Sequence, residues 1–423
     1  MPPRGRERPL AAKGIFVTEP SFLTLGVAEP LRRALAADNY LKPTPIQIAA
    51  IPLVLAGRDV VGIAQTGTGK TAAFGLPLLQ RLAEERVHAG PQAARALILA
   101  PTRELAIQIS QTLWGYARHL SLRHVVIVGG VTQSRQVDEL RRGVDVLVAT
   151  PGRLLDLVAQ KHVRLGAVTK LVIDEADRMF DMGFIRDVRR IVAALPSTRQ
   201  SMLFSATMPK EVTHLVHEIL RDPARVDVSP QTVAADNIEQ RVYFVEAKDK
   251  RSLLHHLLRN ADMTRVIIFT RTKHGADKVA DHLGRAGHRA EAIHGNKSQN
   301  TRQRALEQFR NGKARILVAT DVAARGIDID DVSHVINYEL PNVAENYVHR
   351  IGRTARAGSG GTAIAFCDPA ERESLTAIER LVKQELTNAG GTRRPIDEAV
   401  AARKHPEFIR GRNNRRRNAR RAA

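Results

Sequence analysis

Apolar, β-branched-rich runs recur along this chain, each separated from the next by a helix-like segment. In the first half they are RALILA (95–100), RHVVIVGG (123–130), DVLVAT (145–150), KLVIDEAD (170–177) and SMLFSAT (201–207). In the second half they are RVIIFT (265–270), ARILVAT (314–320), HVINYEL (334–340) and GTAIAFC (361–367). Near-continuous apolar strands alternating with helices indicate parallel sheets covered on both faces, because a strand with one wet face would alternate instead. One such sheet cannot hold so many strands. The pattern predicts an α/β chain of two tandem domains, each a parallel sheet covered by helices.

The polar stretch VSPQTVAADNIEQ (228–240) follows the helix-like EVTHLVHEIL and marks the boundary. This divides the chain into a basic extension (1–20), a first domain (21–228), a linker (229–240), a second domain (241–387) and a tail (388–423). The tail has almost no apolar content at its end, with seven arginines between Arg410 and Arg421, and reads as disordered. Lys and Arg number 65 against 44 Asp and Glu, a net charge of +21. Such an excess points to a polyanionic partner, nucleic acid before a membrane surface. No apolar run approaches the roughly 20 residues that cross a bilayer. The opening MPPRGRERPLAAKG lacks the apolar core of a signal peptide. With 4% aromatics and 43% hydrophobic residues, the cores must be mostly aliphatic. The single cysteine, Cys367, excludes a disulfide framework and reads as a small buried strand residue. A cytoplasmic protein is the default.

The residues just after each apolar run are special: Pro101-Thr102-Arg103, Gly129-Gly130, Thr150-Pro151-Gly152-Arg153, Asp174-Glu175, Ser205-Ala206-Thr207 and Thr320-Asp321. In open parallel sheets ligands sit outside the carboxyl ends of the strands, so these residues line one edge. DVVGIAQTGTGKTAAFGLPLL (59–79) reads strand, loop, helix. Its segment from Ala64 to Thr71 fits the phosphate-loop pattern, with Ala in place of the first Gly. Thr66, Gly67, Thr68 and Gly69 let backbone N–H groups curl around phosphate oxygens at the positive end of a helix. Lys70 can reach the β- and γ-phosphates, and the Thr71 hydroxyl can ligate Mg²⁺. Such a loop needs a carboxylate at a neighbouring strand end to hold the metal. Asp174 supplies it, and Glu175 beside it can orient and deprotonate an attacking water. Asp177 is better placed to hold neighbouring polar groups than to touch metal. His349, Arg350, Arg353 and Arg356 form a second charge set, flanked by Gly352, Gly358, Gly360 and Gly361. Arginines there can bring transition-state charge to the γ-phosphate from the second domain.

In their order these motifs resemble the DEAD-box RNA helicases of helicase superfamily two, most closely the bacterial ribosome-biogenesis-related branch. The match runs from about Phe22 to Phe366. Pro43-Thr44-Pro45-Ile46-Gln47 matches the Q motif, Ala64–Thr71 motif I, Pro101–Leu105 motif Ia, Asp174-Glu175-Ala176-Asp177 the naming motif, and Ser205-Ala206-Thr207 motif III. Ile268-Phe269, Gln299 with Arg302, Ala319-Thr320-Asp321 through Asp328, and His349–Arg356 follow.

The resemblance implies two RecA-like domains and an RNA-dependent ATPase using ATP and Mg²⁺. It implies that Gln47 reads the adenine edge, with Tyr40 or Phe22 packed on the base, and that Asp328 faces the nucleotide. Ser205 and Thr207 should link the ATP site to RNA through the DEAD segment and His349. Arg353 and Arg356 should meet the γ-phosphate, with Arg350 in support. RNA phosphates should meet Thr102, Arg103, Gly130, Thr150 and Arg153 in the first domain, and Arg271, Gly295 and Thr320 in the second. Two departures stand out. Asn39 precedes Tyr40 where the family usually has Gly, and Asn tolerates a left-handed backbone. Ala355 stands where Gly is frequent; a helical backbone accepts Ala easily, whereas a positive φ would disturb the placement of Arg356.

The expected function is ATP-dependent local destabilisation of RNA duplexes, in ribosome assembly or RNA turnover. The expected partners are single-stranded or short duplex RNA, and ribosomal or RNA-degradation proteins, with no membrane and a monomeric chain. An ATP-gated RNA clamp that assembles other factors would carry the same motifs, and a DNA-directed motor of the same superfamily is a third reading. The second arginine set disfavours a small-molecule kinase.

Overall fold

The computed structural model describes residues 20–65, 67–85, 87–228, 238–324, 332–355 and 360–393. Thr66, Asp328, Arg356 and the Arg-rich segment beyond residue 393 lie outside these residues.

The first domain carries strands β1 (Val60–Ile63), β2 (Ala94–Leu99), β3 (His124–Ile127), β4 (Val144–Ala149), β5 (Lys170–Ile173), β6 (Gln200–Ser205) and β7 (Ala224–Asp227). The second carries β8 (Ile238–Phe244), β9 (Val266–Thr270), β10 (Ala290–Ile293), β11 (Ile316–Thr320), β12 (His334–Asn337), β13 (Gly361–Cys367) and β14 (Thr387–Gly390). They form two seven-stranded sheets, β3-β4-β2-β5-β6-β1-β7 and β10-β11-β9-β12-β13-β8-β14, and every pairing is parallel. Counted from its own first strand, the second sheet has the same order as the first. The two domains are one topology built twice.

Strands β1, β2, β4, β5, β6, β9 and β11 are buried at every position. This explains their continuous apolar sequences: alternate side chains enter cores on opposite faces. Val60, Ile98, Val148, Val172 and Phe204 lie in one cluster, while Val61, Leu99, Leu147, Ile173 and Leu203 lie in the other. Gly62 makes room for Phe204, since a Cβ there would stand 2.4 Å from its ring. Cys367 is buried in β13.

The apolar runs do not announce β7, β8, β10 and β14. Three of these are edge strands, and the fourth, β8, alternates buried and more exposed positions along IEQRVYF. Two expected boundaries shift as a result. The second domain starts at Ile238, inside the expected linker 229–240, and continues past residue 387 through β14, with Arg393 paired to Glu379 at its end. Among the described residues no helix is long and apolar enough to cross a membrane.

Candidate ATP and RNA site

β1 leads into the phosphate loop, and Gly69, with φ of 92°, turns the chain into the helix Lys70–Glu84. Gly67 is also left-handed, with φ of 85°. A side chain at Gly69 would meet Gln47 Nε2 at 2.2 Å, so only glycine fits. The fully buried Gln47 donates to the Gly69 carbonyl (3.0 Å) and to the Tyr40 hydroxyl, and its Oε1 accepts the Thr44 N–H at 3.0 Å. Its amide therefore ties the Q segment to the phosphate loop. Of the two aromatics expected at the base, Phe22 is buried and packs edge-on against Tyr40 at 5.6 Å, leaving Tyr40 the partly exposed ring. Asn39 takes φ of 54°, as its tolerance of that region allows. Lys70 is buried and donates to the Ala64 carbonyl at 2.9 Å. Thr68 Oγ1 donates to Gln65 O at 2.7 Å, and Thr71 is the second residue of the helix.

Asp174 and Glu175 follow β5, two strands from β1 in the sheet. Asp174 is buried, which pushes its carboxyl up to about 7 against the pull of Lys70, with neighbouring Glu175 adding to the rise. Glu175 is left-handed at φ of 54°, and this kink starts the helix Ala176–Asp181. Arg178, one turn on, donates to Glu175 Oε2 at 2.6 Å, with both side chains buried. Sequence spacing does not reveal this clamp, because the left-handed Glu175 stands before the helix and outside its side-chain periodicity.

Asp177 is the junction of the site. Its Oδ2 accepts from Thr207 N (2.9 Å), Thr207 Oγ1 (3.0 Å) and Ala206 N (3.2 Å). Its own N–H donates to Ser205 Oγ at 3.2 Å, and Ser205 Oγ donates to Thr207 O at 2.7 Å. Burial opposes ionisation of Asp177. The charges of Lys70, of His349 from the second domain and of Arg178, with the Thr207 hydrogen bond, nevertheless hold its carboxyl below the usual range.

In the second domain the helix Ala344–Ile351 ends before Arg353, so the arginines do not form a helical stripe. Arg350 is buried. It grips Asp321 with two nitrogens (2.5 and 2.8 Å), donates to Asn337 (2.9 Å) and the Glu339 carbonyl (2.7 Å), and lies over the Phe269 ring. Arg353 is buried, with Nε donating to His349 O at 3.3 Å. Ala355 takes φ of 55°, not the helical backbone that accepts Ala easily.

The residues expected to meet RNA gather at strand ends. Thr102 caps the helix Arg103–Tyr116 by accepting from Leu105 N at 3.3 Å. Arg103 lies across Gly129 and Gly130, where a Cβ on Gly130 would fall 2.0 Å from its guanidinium. Thr150 precedes the helix Pro151–Ala159, which carries Arg153. Thr320 ends β11, and Gly295 follows β10 with open space over its Cα. Arg271 is exposed and half engaged: its N–H donates to Glu339 at 2.7 Å, and its guanidinium pairs with Glu371 at 3.2 Å. A bridge between the two domains joins the first helix after β2 to the second domain. Buried Glu104 accepts from Gln299 Nε2 at 3.1 Å and pairs with Arg302 at 3.0 Å. Sequence spacing places Glu104, Gln299 and Arg302 only within their motifs, because no local pattern reports a contact 195 residues apart.

Two family models match: DEAD/DEAH box helicase over residues 44–215 and helicase conserved C-terminal domain over 249–358. An RNA helicase named CrhR from Synechocystis is 44% identical over 86% of this chain and 73% of its own length. Among solved structures, Dbp5 of S. cerevisiae bound to RNA and ADP BeF3 is 34% identical, covering 92% of this chain and 98% of its own, with a TM-score of 0.79. A DEAD box protein from Methanococcus jannaschii is 37% identical over 87% of this chain and 98% of its own, yet its TM-score is 0.52. With the motifs in order, both domain models matched and a relative of this identity across most of its length, the chain belongs to the DEAD-box RNA helicase family.

Proposed function

We propose that this protein destabilises short RNA duplexes locally by closing its two domains around ATP and RNA together. The observation that carries this reading is Asp177, which is bonded to Ser205-Ala206-Thr207 within the first domain and feels the charge of His349 from the second. A residue held this way reports on the phosphate loop and on domain closure at once.

In this reading Lys70 and the backbone of the phosphate loop bind the triphosphate, and Glu175, aimed by Arg178, takes the proton of the attacking water. Arg353 and Arg356 supply positive charge to the terminal phosphoryl group. For Gln47 to read adenine, its amide has to exchange the Gly69 or Tyr40 bond for one to the base. The Thr71 hydroxyl and the Asp174 carboxylate are hard oxygen donors suited to Mg²⁺, a metal that fills its remaining positions with phosphate and water. A bound Mg²⁺ would neutralise phosphate charge, and it also stabilises the ionised form of Asp174 that burial alone disfavours. Thr102, Arg103, Gly130, Thr150, Arg153, Arg271, Gly295 and Thr320 line the edge on which RNA lies. Phosphate contacts position a strand without reading its bases, so the choice of RNA rests with other parts of the protein or with partners.

The test is ATP turnover with and without RNA, beside strand displacement on a short duplex. RNA-stimulated turnover with displacement supports the reading. Stimulated turnover without displacement makes the protein an ATP-gated clamp, and equal stimulation by DNA of the same sequence removes the RNA assignment.

A further inference from the structure

Between the second domain's helices Lys250–Leu257 and Lys273–Arg285 runs a groove of about 480 Å³. Val279 and Tyr338 form its floor, both packed on the domain core. Arg251 stands on one wall; Lys278, His282 and Arg285 stand on the other, at helical spacings of four and three that share a face. One acid, Asp281, belongs to the lining. Arg251, Lys278 and Arg285 are exposed, and none of them makes an ion pair with a described residue. Elsewhere on this surface arginines find carboxylates, as in Arg189–Glu218 and Arg241–Glu239. The groove thus concentrates uncompensated positive charge over an aromatic floor.

Its position gives the charge a direction. Arg271, Gly295 and Thr320 follow or end β9, β10 and β11, which are neighbours in the sheet. The next strand is β12, and Tyr338 follows its last residue. The groove therefore opens at the same sheet edge, one strand beyond the residues assigned to RNA. Both helices begin at that edge and point their positive ends toward it. At the far end the two walls meet, where His255 and His288 approach to 3.2 Å.

We propose that this groove carries the RNA strand as it leaves the cleft, with phosphates along Arg251, Lys278 and Arg285 and a base against Tyr338. The proposal rests on the RNA reading above. The experiment uses the full chain and an oligouridylate series. The shortest oligomer that fully stimulates ATP turnover sets the cleft length; that oligomer is then extended at its 5′ or its 3′ end. Extension at one end should tighten binding and steepen its salt dependence. The triple variant R251E/K278E/R285E should lose that gain, flattening the log–log salt slope by about 2, the value for three single-strand phosphate contacts. Its affinity for the short oligomer and its stimulated turnover should match the parent chain, which also verifies folding; R251Q/K278Q/R285Q substitutes if the charge reversal misfolds. The proposal is overturned if neither extension tightens binding, or if the variant keeps the gain. A variant that keeps the gain but loses binding of polyglutamate reassigns the groove to an acidic peptide. If the parent chain ignores the short oligomer as well, the RNA reading itself fails, and the two failures are distinct.

Discussion

The first strand of each sheet runs into a helix whose first residue is lysine: Lys70 after β1 and Lys250 after β8. The folds around them have the same strand order, yet the two lysines do opposite things. Before Lys70 stand Gly67 and Gly69, both left-handed, and the ammonium meets a neutral carbonyl. Before Lys250 the chain reads EAKD, without glycine, and the buried ammonium is held by Glu371 at 2.5 Å and Asp368 at 3.2 Å. The correspondence extends further. Glu175 and Glu339 are each the second residue after the fifth strand. Thr102 and Thr272 each cap the helix after the second strand. One topology thus leaves a lysine on a neutral carbonyl where glycines free the backbone, and makes an internal staple where carboxylates neutralise the lysine.

The sharpest break between the two halves should come at the paired glutamates. Glu175→Gln should lower ATP turnover about 10²–10⁴-fold while nucleotide still binds, whereas Glu339→Gln should leave turnover within about one order of magnitude. Steady-state phosphate release decides this, and normal turnover by Glu175→Gln takes the base role away from that residue. The lysines should part along different axes. Lys250→Met leaves buried Asp368 without its cation and Glu371 with Arg271 alone, and should cost about 3–5 kcal/mol in the second domain's unfolding free energy. Lys70→Met should abolish nucleotide binding with little loss of stability, so denaturant melts and nucleotide titrations of both variants should show a crossed pattern.

Smaller effects should appear where the halves meet. Glu104→Gln weakens the bridge to Arg302, and a charge-assisted bond of this kind contributes about 1.5–3 kcal/mol. Its RNA affinity should fall mainly in the presence of a non-hydrolysable ATP analogue. An equal fall with and without the analogue would show that Glu104 does not act on closure. The smallest change is at Ala355, whose φ of 55° is unfavourable for a side chain bearing a Cβ. Ala355→Gly should raise stability by about 1 kcal/mol or less, because the relief of strain is partly offset by glycine's entropy. A lower melting temperature would mean that the Ala355 methyl, which packs on the second domain's core, outweighs the strain.

Much of this was legible from the chain alone, and for a physical reason. Strands buried on both faces are mostly apolar, and their few charged members, such as Arg95 and Asp145, pair with each other, so β2, β4, β5, β6, β9 and β11 stand out from their neighbours. The glycines and Lys70 of the phosphate loop lie within a few residues of each other, and local spacing suffices to recognise them. Edge strands β7, β10 and β14 escaped, because half of their surroundings is solvent or loop and their sequences carry no comparable constraint. Spacing alone does not separate the roles within the second arginine set, in which Arg350 serves a buried clamp on Asp321 and the helix ends at Ile351.

By itself the sequence determined the two-domain α/β plan, the phosphate loop and the acids at the end of β5, since each rests on hydrophobic pattern or on residues close along the chain. Only the tertiary structure decided that Gln47 bonds to the loop it accompanies, that Arg178 holds Glu175, that Glu104 bridges to Arg302, and that Lys250 is a staple rather than a second phosphate site. Those outcomes depend on which side chains neutralise one another across the fold. Charge pairing between distant segments leaves no periodic trace in a linear sequence.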